Sequence, residues 1–223
     1  MHIEPGLVAP AKMIVAYATA GGAGLWTAKL AWEALKERGL TSLAARTAAT
    51  TALVFSFFEI LPHYPVGVSE VHFILGSTLL LIFGAAPAAI GLALGLLAQG
   101  LLFAPFDLPQ YAANITTLLV PLFAIKALAD RIIAPETPYV DLKYRQALAL
   151  STTYQGGIVA WVAFWALYGQ GFGADNMASV VTFGGAYMLV VLLEPLIDLA
   201  VLAGAKTVRG LEKTGLVTPR LFA

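Results

Sequence analysis

Three histidines and one acidic residue beside them carry most of the metal-binding chemistry this chain can offer: His2, His63, His72 and Glu70. His63 and His72 fall within the stretch Pro62–Gly76, between two apolar runs, and Glu70 stands two residues before His72. There is no cysteine to compete as a ligand. If the protein binds a metal, imidazole and main-chain nitrogen must hold it, a donor set that suits nickel, copper or cobalt better than soft thiolate-seeking ions. A bulky His2 after Met1 leads us to expect that the initiator methionine is retained, which sets a free α-amine one residue from an imidazole. Each histidine also has a structural reading. His63 suits an interfacial side chain bonding to loop carbonyls, His72 suits a cap on loop carbonyls at a helix start, and His2 suits a loose terminus.

The elements that must position these groups are membrane helices. With 59% hydrophobic and 12% charged residues, the chain lies outside soluble usage, and several apolar runs approach spanning length. Zero formal net charge leaves no electrostatic footprint for nucleic acid. The start carries Glu4 and Pro5, lacks a basic leader and runs into a long apolar segment, so we expect no cleaved secretory signal.

Apolar periodicity and punctuation predict an all-α, polytopic bundle of about seven transmembrane helices, near 12–33, 44–61, 71–86, 88–104, 112–133, 147–168 and 178–203. Placing the amino terminus outside and the carboxy terminus inside leaves Lys12 as the one outer residue among thirteen basic ones, a strong positive-inside asymmetry. Residues 1–223 then form a single integral membrane domain with an extracytoplasmic amino-terminal segment at 1–11, a recessed outer loop at 62–71 and a basic cytoplasmic tail at 204–223. A helix over 71–86 would be only about 24 Å long, short of the hydrocarbon core, so the preceding loop should dip inward and set His72 at the floor of an outward pocket. The outer face also collects Glu4, Asp107 and Asp175, with Glu59 near the same interface. That acidity fits a funnel for cations and equally fits the exclusion of Lys and Arg from the outer side.

Ser69-Glu70-Val71-His72 with Gly76 before an apolar helix, Met1-His2-Ile3 at the start, and Gln99-Gly100-Leu101-Leu102-Phe103 followed by Ala113-Asn114-Ile115 resemble the CbiM/NikM family, the substrate-capture (S) membrane subunits of energy-coupling-factor (ECF) importers for cobalt and nickel. The likeness spans residues 1 to about 125. It implies Co(II) or Ni(II) as transported substrate with no resident cofactor, and metal ligands at the Met1 amine, the His2 amide and ring, and His72. It further implies Asn114, with Ser69 and Gln99, as hydrogen-bonding support. The sequence departs from the family pattern at Glu70 and at Pro105-Phe106-Asp107, which makes His63 and Glu70 candidate additional ligands. No phosphate-binding loop occurs, so this chain is expected not to be an enzyme. The resemblance supplies ATP hydrolysis through partners: a transmembrane coupling (T) subunit, cytoplasmic ATPases and, in some systems, a small accessory membrane subunit. It places the assembly in the bacterial cytoplasmic (inner) membrane.

Two other classes compete. An ion- or proton-coupled secondary carrier would use membrane carboxylates, for which Glu59, Glu194 and Asp198 are the candidates, although no internal repeat accompanies them. Glu194, before Pro195, reads equally as a buried anchor at a kink. A haem protein would need axial histidines facing each other across helices, which the placement of His63 and His72 does not provide.

Overall fold

The computed structural model describes residues 3–211. Six α-helices make up most of it: α1 (Met13–Glu59), α2 (Gly76–Phe83), α3 (Ala85–Leu102), α4 (Tyr111–Ile132), α5 (Tyr144–Gln170) and α6 (Ala174–Leu211). Between α1 and α2 lies an antiparallel hairpin, β1 (Tyr64–Val66) and β2 (Ser69–Val71). Short 3₁₀ turns at Pro105–Gln110 and Tyr139–Asp141 lead into α4 and α5. Four segments are long and apolar enough to cross a membrane: Ala85–Leu102, Pro105–Ile132, Tyr144–Gln170 and Ala174–Gly210. Large apolar side chains such as Leu25, Val181, Leu189 and Leu196 stand exposed on the outside of the bundle, a surface suited to lipid.

The stretch between the helices expected at 12–33 and 44–61 is helical. Hydrogen bonding continues through α1, and a single residue, Gly39, leaves the helical region with φ 77° and ψ 170°. A straight helix of this length would part its ends by about 70 Å. Instead Met13 packs in one cluster with Ile3, which bridges Ser69, while the Phe58 ring lies 5.2 Å from that of His72. The chain therefore doubles back at Gly39, a left-handed backbone that glycine adopts without steric cost. On the returning arm, Thr50 donates to the Pro87 carbonyl at 2.7 Å, and Gly91 and Gly95 leave room for Thr50 and Val54. On the first arm Ala16 is buried, whereas Gly24 and Ala28 are exposed.

The segment around His72 also differs from expectation. Residues 64–71 of the expected loop form the hairpin, and α2 begins at Gly76 rather than at 71, so His72 precedes the helix on non-helical backbone. The cause is a clamp from α6. The Glu194 carboxylate accepts the N–H groups of Ile74 and Leu75 at 2.8 and 2.7 Å, and Leu75 sits at φ 54°. Asp198, one turn further along α6, accepts the hydroxyls of Ser77 and Thr78, both at 2.5 Å. The Ile74 and Leu75 amides, just ahead of α2, are thus held by a carboxylate about 120 residues away. At the other end of α2, Arg46 Nη1 donates to the Phe83 carbonyl at 2.8 Å.

Helix α6 continues past the expected end at 203 to Leu211, so the first part of the expected tail is helical. Lys206 donates to the Val140 carbonyl at 2.7 Å and Arg209 pairs with Asp141 at 2.9 Å. The rest of the tail, from 212, lies outside the described residues.

Candidate metal centre

Strand β2 delivers His72 into the bundle. The residue is 1% exposed, and its Nε2 lies 2.8 Å from Glu70 Oε2. A neutral ring that donates from Nε2 carries its lone pair on Nδ1, so Glu70 sets the tautomer. His63 stacks on the same ring, with centroids 5.1 Å apart and planes 13° from parallel. Its Nδ1–H donates to the Leu61 carbonyl at 3.1 Å, as the structural reading of that residue expects. Phe58, tilted against His72, completes an aromatic enclosure. Nothing in the sequence singles Phe58 out, since it is one of many apolar residues in α1.

The hairpin is fixed on two sides. Its turn presses on α6, where Gly67, at φ 61°, lies against the backbone of Ser179 with no room for a side chain. On the other side the amino-terminal segment pairs with it: Ile3 forms an antiparallel bridge with Ser69, and the Glu4 N–H donates to the Val68 carbonyl at 3.1 Å. Ile3 is fully buried, and its N–H donates to Asn114 Oδ1 on α4 at 2.8 Å. Val8, Met13 and Trp165 pack around it. Further along, Gln170 donates to the Gly6 and Leu7 carbonyls at 3.1 and 2.8 Å, and Lys12 donates to the Tyr168 and Gly169 carbonyls at 2.8 and 2.9 Å. The segment is a strap tied to α4, α5 and the hairpin.

The structure thus brings together Ser69, Glu70, His72, His63, Asn114 and the strap. Met1 and His2, expected to complete the site, lie outside the described residues. Gln99, near the end of α3, is buried beside the turn at Pro105–Gln110, where its carbonyl accepts the N–H groups of Phe103 and Ala104. Among the described residues no cluster of three or more His, Cys, Asp or Glu could by itself hold a metal.

Glu194 and Asp198 serve the clamp on α2. Gln155 donates to Glu194 as well and accepts from the Tyr187 hydroxyl at 2.8 Å. Glu59 ends α1, in a different part of the chain from this network. The partners of Glu194 fit its reading as a buried anchor.

A family model described as the cobalt uptake substrate-specific transmembrane region, CbiM, matches residues 2–210. The chain belongs to the CbiM family. Two solved structures share this CbiM fold. One, described as a transition metal transporter, aligns with TM-score 0.69 at 19% identity over 93% of each chain. The other, a truncated transition metal transporter, aligns with TM-score 0.66 at 19% identity, covering 91% of this chain and 97% of that one. Comparison with curated protein sequences returns no match.

Proposed function

We propose that this CbiM-family protein is the metal-capturing membrane subunit of an energy-coupling-factor importer, taking Co(II) or Ni(II) from the outer side of the bacterial cytoplasmic membrane. A coupling subunit and cytoplasmic ATPases, with or without a small accessory membrane subunit, drive uptake; this chain hydrolyses nothing itself. In this reading the doubled-back α1 supplies two crossings and α3–α6 four. The seventh is made by the hairpin segment together with the eight-residue α2, which by itself is too short to span. Seven crossings set the amino terminus outside and the carboxy terminus inside.

The metal is held by four nitrogens: the Met1 amine, the His2 amide and ring, and the His72 imidazole. Amine, amide and ring on successive residues form fused chelate rings around a planar site, a geometry that suits Ni(II), which nitrogen donors also bind more tightly than Co(II) by the Irving–Williams order. The observation that carries this reading is the Ile3 hydrogen bond to Asn114. That N–H belongs to the peptide bond joining His2 to Ile3. With its proton committed to Asn114, the amide left for metal is that of His2 itself. The bridge from Ile3 to Ser69 keeps the same end of the chain three residues from His72 along β2.

The test is metal binding to the purified protein and ATP-driven uptake when it is expressed with its partner subunits. His2→Ala and His72→Ala each abolish tight binding and uptake in this account. Unchanged uptake in both variants would overturn the site.

A further inference from the structure

The end of α6 forms one wall of a cleft that the metal site does not use. Val140, Asp141, Lys206, Arg209 and Gly210 line it, and its volume is about 360 Å³. Lys206 stands roughly 24 Å along α6 from Val190, which borders the apolar cavity beside His72.

Among the described residues, Lys206 Nζ makes one hydrogen bond, to the Val140 carbonyl, and lies 5.6 Å from the centre of the Tyr144 ring. An ammonium has three N–H groups, so donors remain for a ligand. Arg209 gives Nη1 to Asp141 in an exposed pair, and its planar fork keeps Nη2 and Nε for another acceptor. Lys143 and Arg145, on either side of Tyr144, are exposed at the rim. Against these cations the cleft sets one carboxylate, Asp141, whereas Asp130 and Glu136 line a separate cleft. Such an excess of cationic donors calls for an anion.

The surroundings say which kind. On α5, Tyr144 and, one turn on, Leu148 are exposed. On α6, Leu192, Leu196, Leu199, Ala203 and Lys206 recur three or four apart, so one face carries an apolar strip that ends at the cleft. Leu192 and Leu196 on that strip are exposed. Tyrosine and lysine at the ends of spanning helices mark the depth of lipid headgroups. A phosphate at the basic residues with acyl chains along the strip is a phospholipid.

We infer that this cleft binds the headgroup phosphate of an anionic phospholipid, with Lys206 and Arg209 as its donors. In the orientation proposed above it faces the cytoplasmic leaflet, whose surface is negative because anionic lipid gathers there. Asp141 is the competitor: it holds Arg209 and repels the headgroup.

The experiment adds phosphatidylglycerol or phosphatidylcholine of matched chains to the purified full chain in neutral detergent and follows bound lipid by native mass spectrometry. The unaltered protein retains phosphatidylglycerol in preference. Lys206→Gln combined with Arg209→Gln weakens phosphatidylglycerol binding about tenfold and leaves phosphatidylcholine binding and Ni(II) affinity unchanged. Asp141→Asn, which frees Arg209 and removes the competing charge, tightens phosphatidylglycerol binding about threefold, an effect that a purely structural ion pair would not give. Lys126→Gln combined with Arg131→Gln, near the end of α4 and outside the cleft, has little effect. Unchanged phosphatidylglycerol affinity in the cleft variant, equal weakening in the Lys126 and Arg131 variant, or displacement of the lipid by inorganic phosphate at equal concentration overturns the inference. If the double variant does not fold, Arg209→Gln alone carries the test: about a fivefold loss supports the site, and no loss contradicts it.

Discussion

Asn114 and Ile3, 111 residues apart, are joined by a 2.8 Å hydrogen bond that ties the amino-terminal strap to the middle of the bundle. The contact is buried at both ends and commits the Ile3 N–H, which in the proposed chelate leaves the His2 amide for the metal. Asn114→Ala frees that amide and leaves a buried N–H without a partner. Metal affinity should fall roughly 10–100-fold, as when a ligand loses its supporting hydrogen bond. Isothermal titration with Ni(II) checks this, and affinity within twofold of the unaltered protein would contradict it.

Glu70 and His63 both touch His72, in different ways. Glu70 bonds to its ring nitrogen and His63 stacks on its face. Glu70→Ala removes the group that sets the tautomer and should weaken binding about tenfold. His63→Ala, which removes a stacked ring already tied to the Leu61 carbonyl, should change affinity by less than about threefold, on the scale of one aromatic contact. The reverse order would make His63 a ligand.

Protons compete with the metal at every proposed donor. The amine, the His2 amide and the imidazoles bind metal only after losing a proton or while unprotonated, so affinity should fall steeply as pH drops through the neutral range. Titrations in buffers of different ionisation enthalpy should show net proton release. Binding without release, at constant affinity, would exclude the amide chelate.

The clamp on α2 gives a stability prediction. Glu194→Ala leaves the buried amides of Ile74 and Leu75 unsatisfied, at about 1–3 kcal/mol each. Thermal unfolding in detergent should shift down clearly, with metal affinity following because His72 lies two residues before Ile74. Glu194→Gln keeps an acceptor and should fold and bind nearly as the unaltered protein does. Intact binding in Glu194→Gln with complete loss of transport would instead revive the coupled-carrier reading.

The candidate site is legible in the sequence where chemistry is scarce. Three histidines in an apolar chain draw the eye to His72, and the order of motifs around Met1-His2-Ile3, Ser69–His72 and Asn114 points to the family. Long apolar runs placed α3, α4 and α5 within a few residues. The hairpin escaped notice because strands of three residues are too short for a period-two signal, and Pro62, Pro65 and Gly67 read as an irregular loop. Helix α2 starts late because Glu194 holds the chain open from the far end of the sequence, a pairing that local pattern cannot reveal. Between the helices expected at 12–33 and 44–61 the reversal is confined to one glycine, Gly39, within otherwise helical backbone.

The account stands most directly on the free amino terminus. Titrating Ni(II) and Co(II) into purified protein with its native start, and into a version extended by a few residues, moves the α-amine while leaving every side chain intact. The account predicts tight binding in the first and its loss in the second. Equal affinity in both would contradict the terminal chelate and shift the search for ligands to His63, Glu70 and His72.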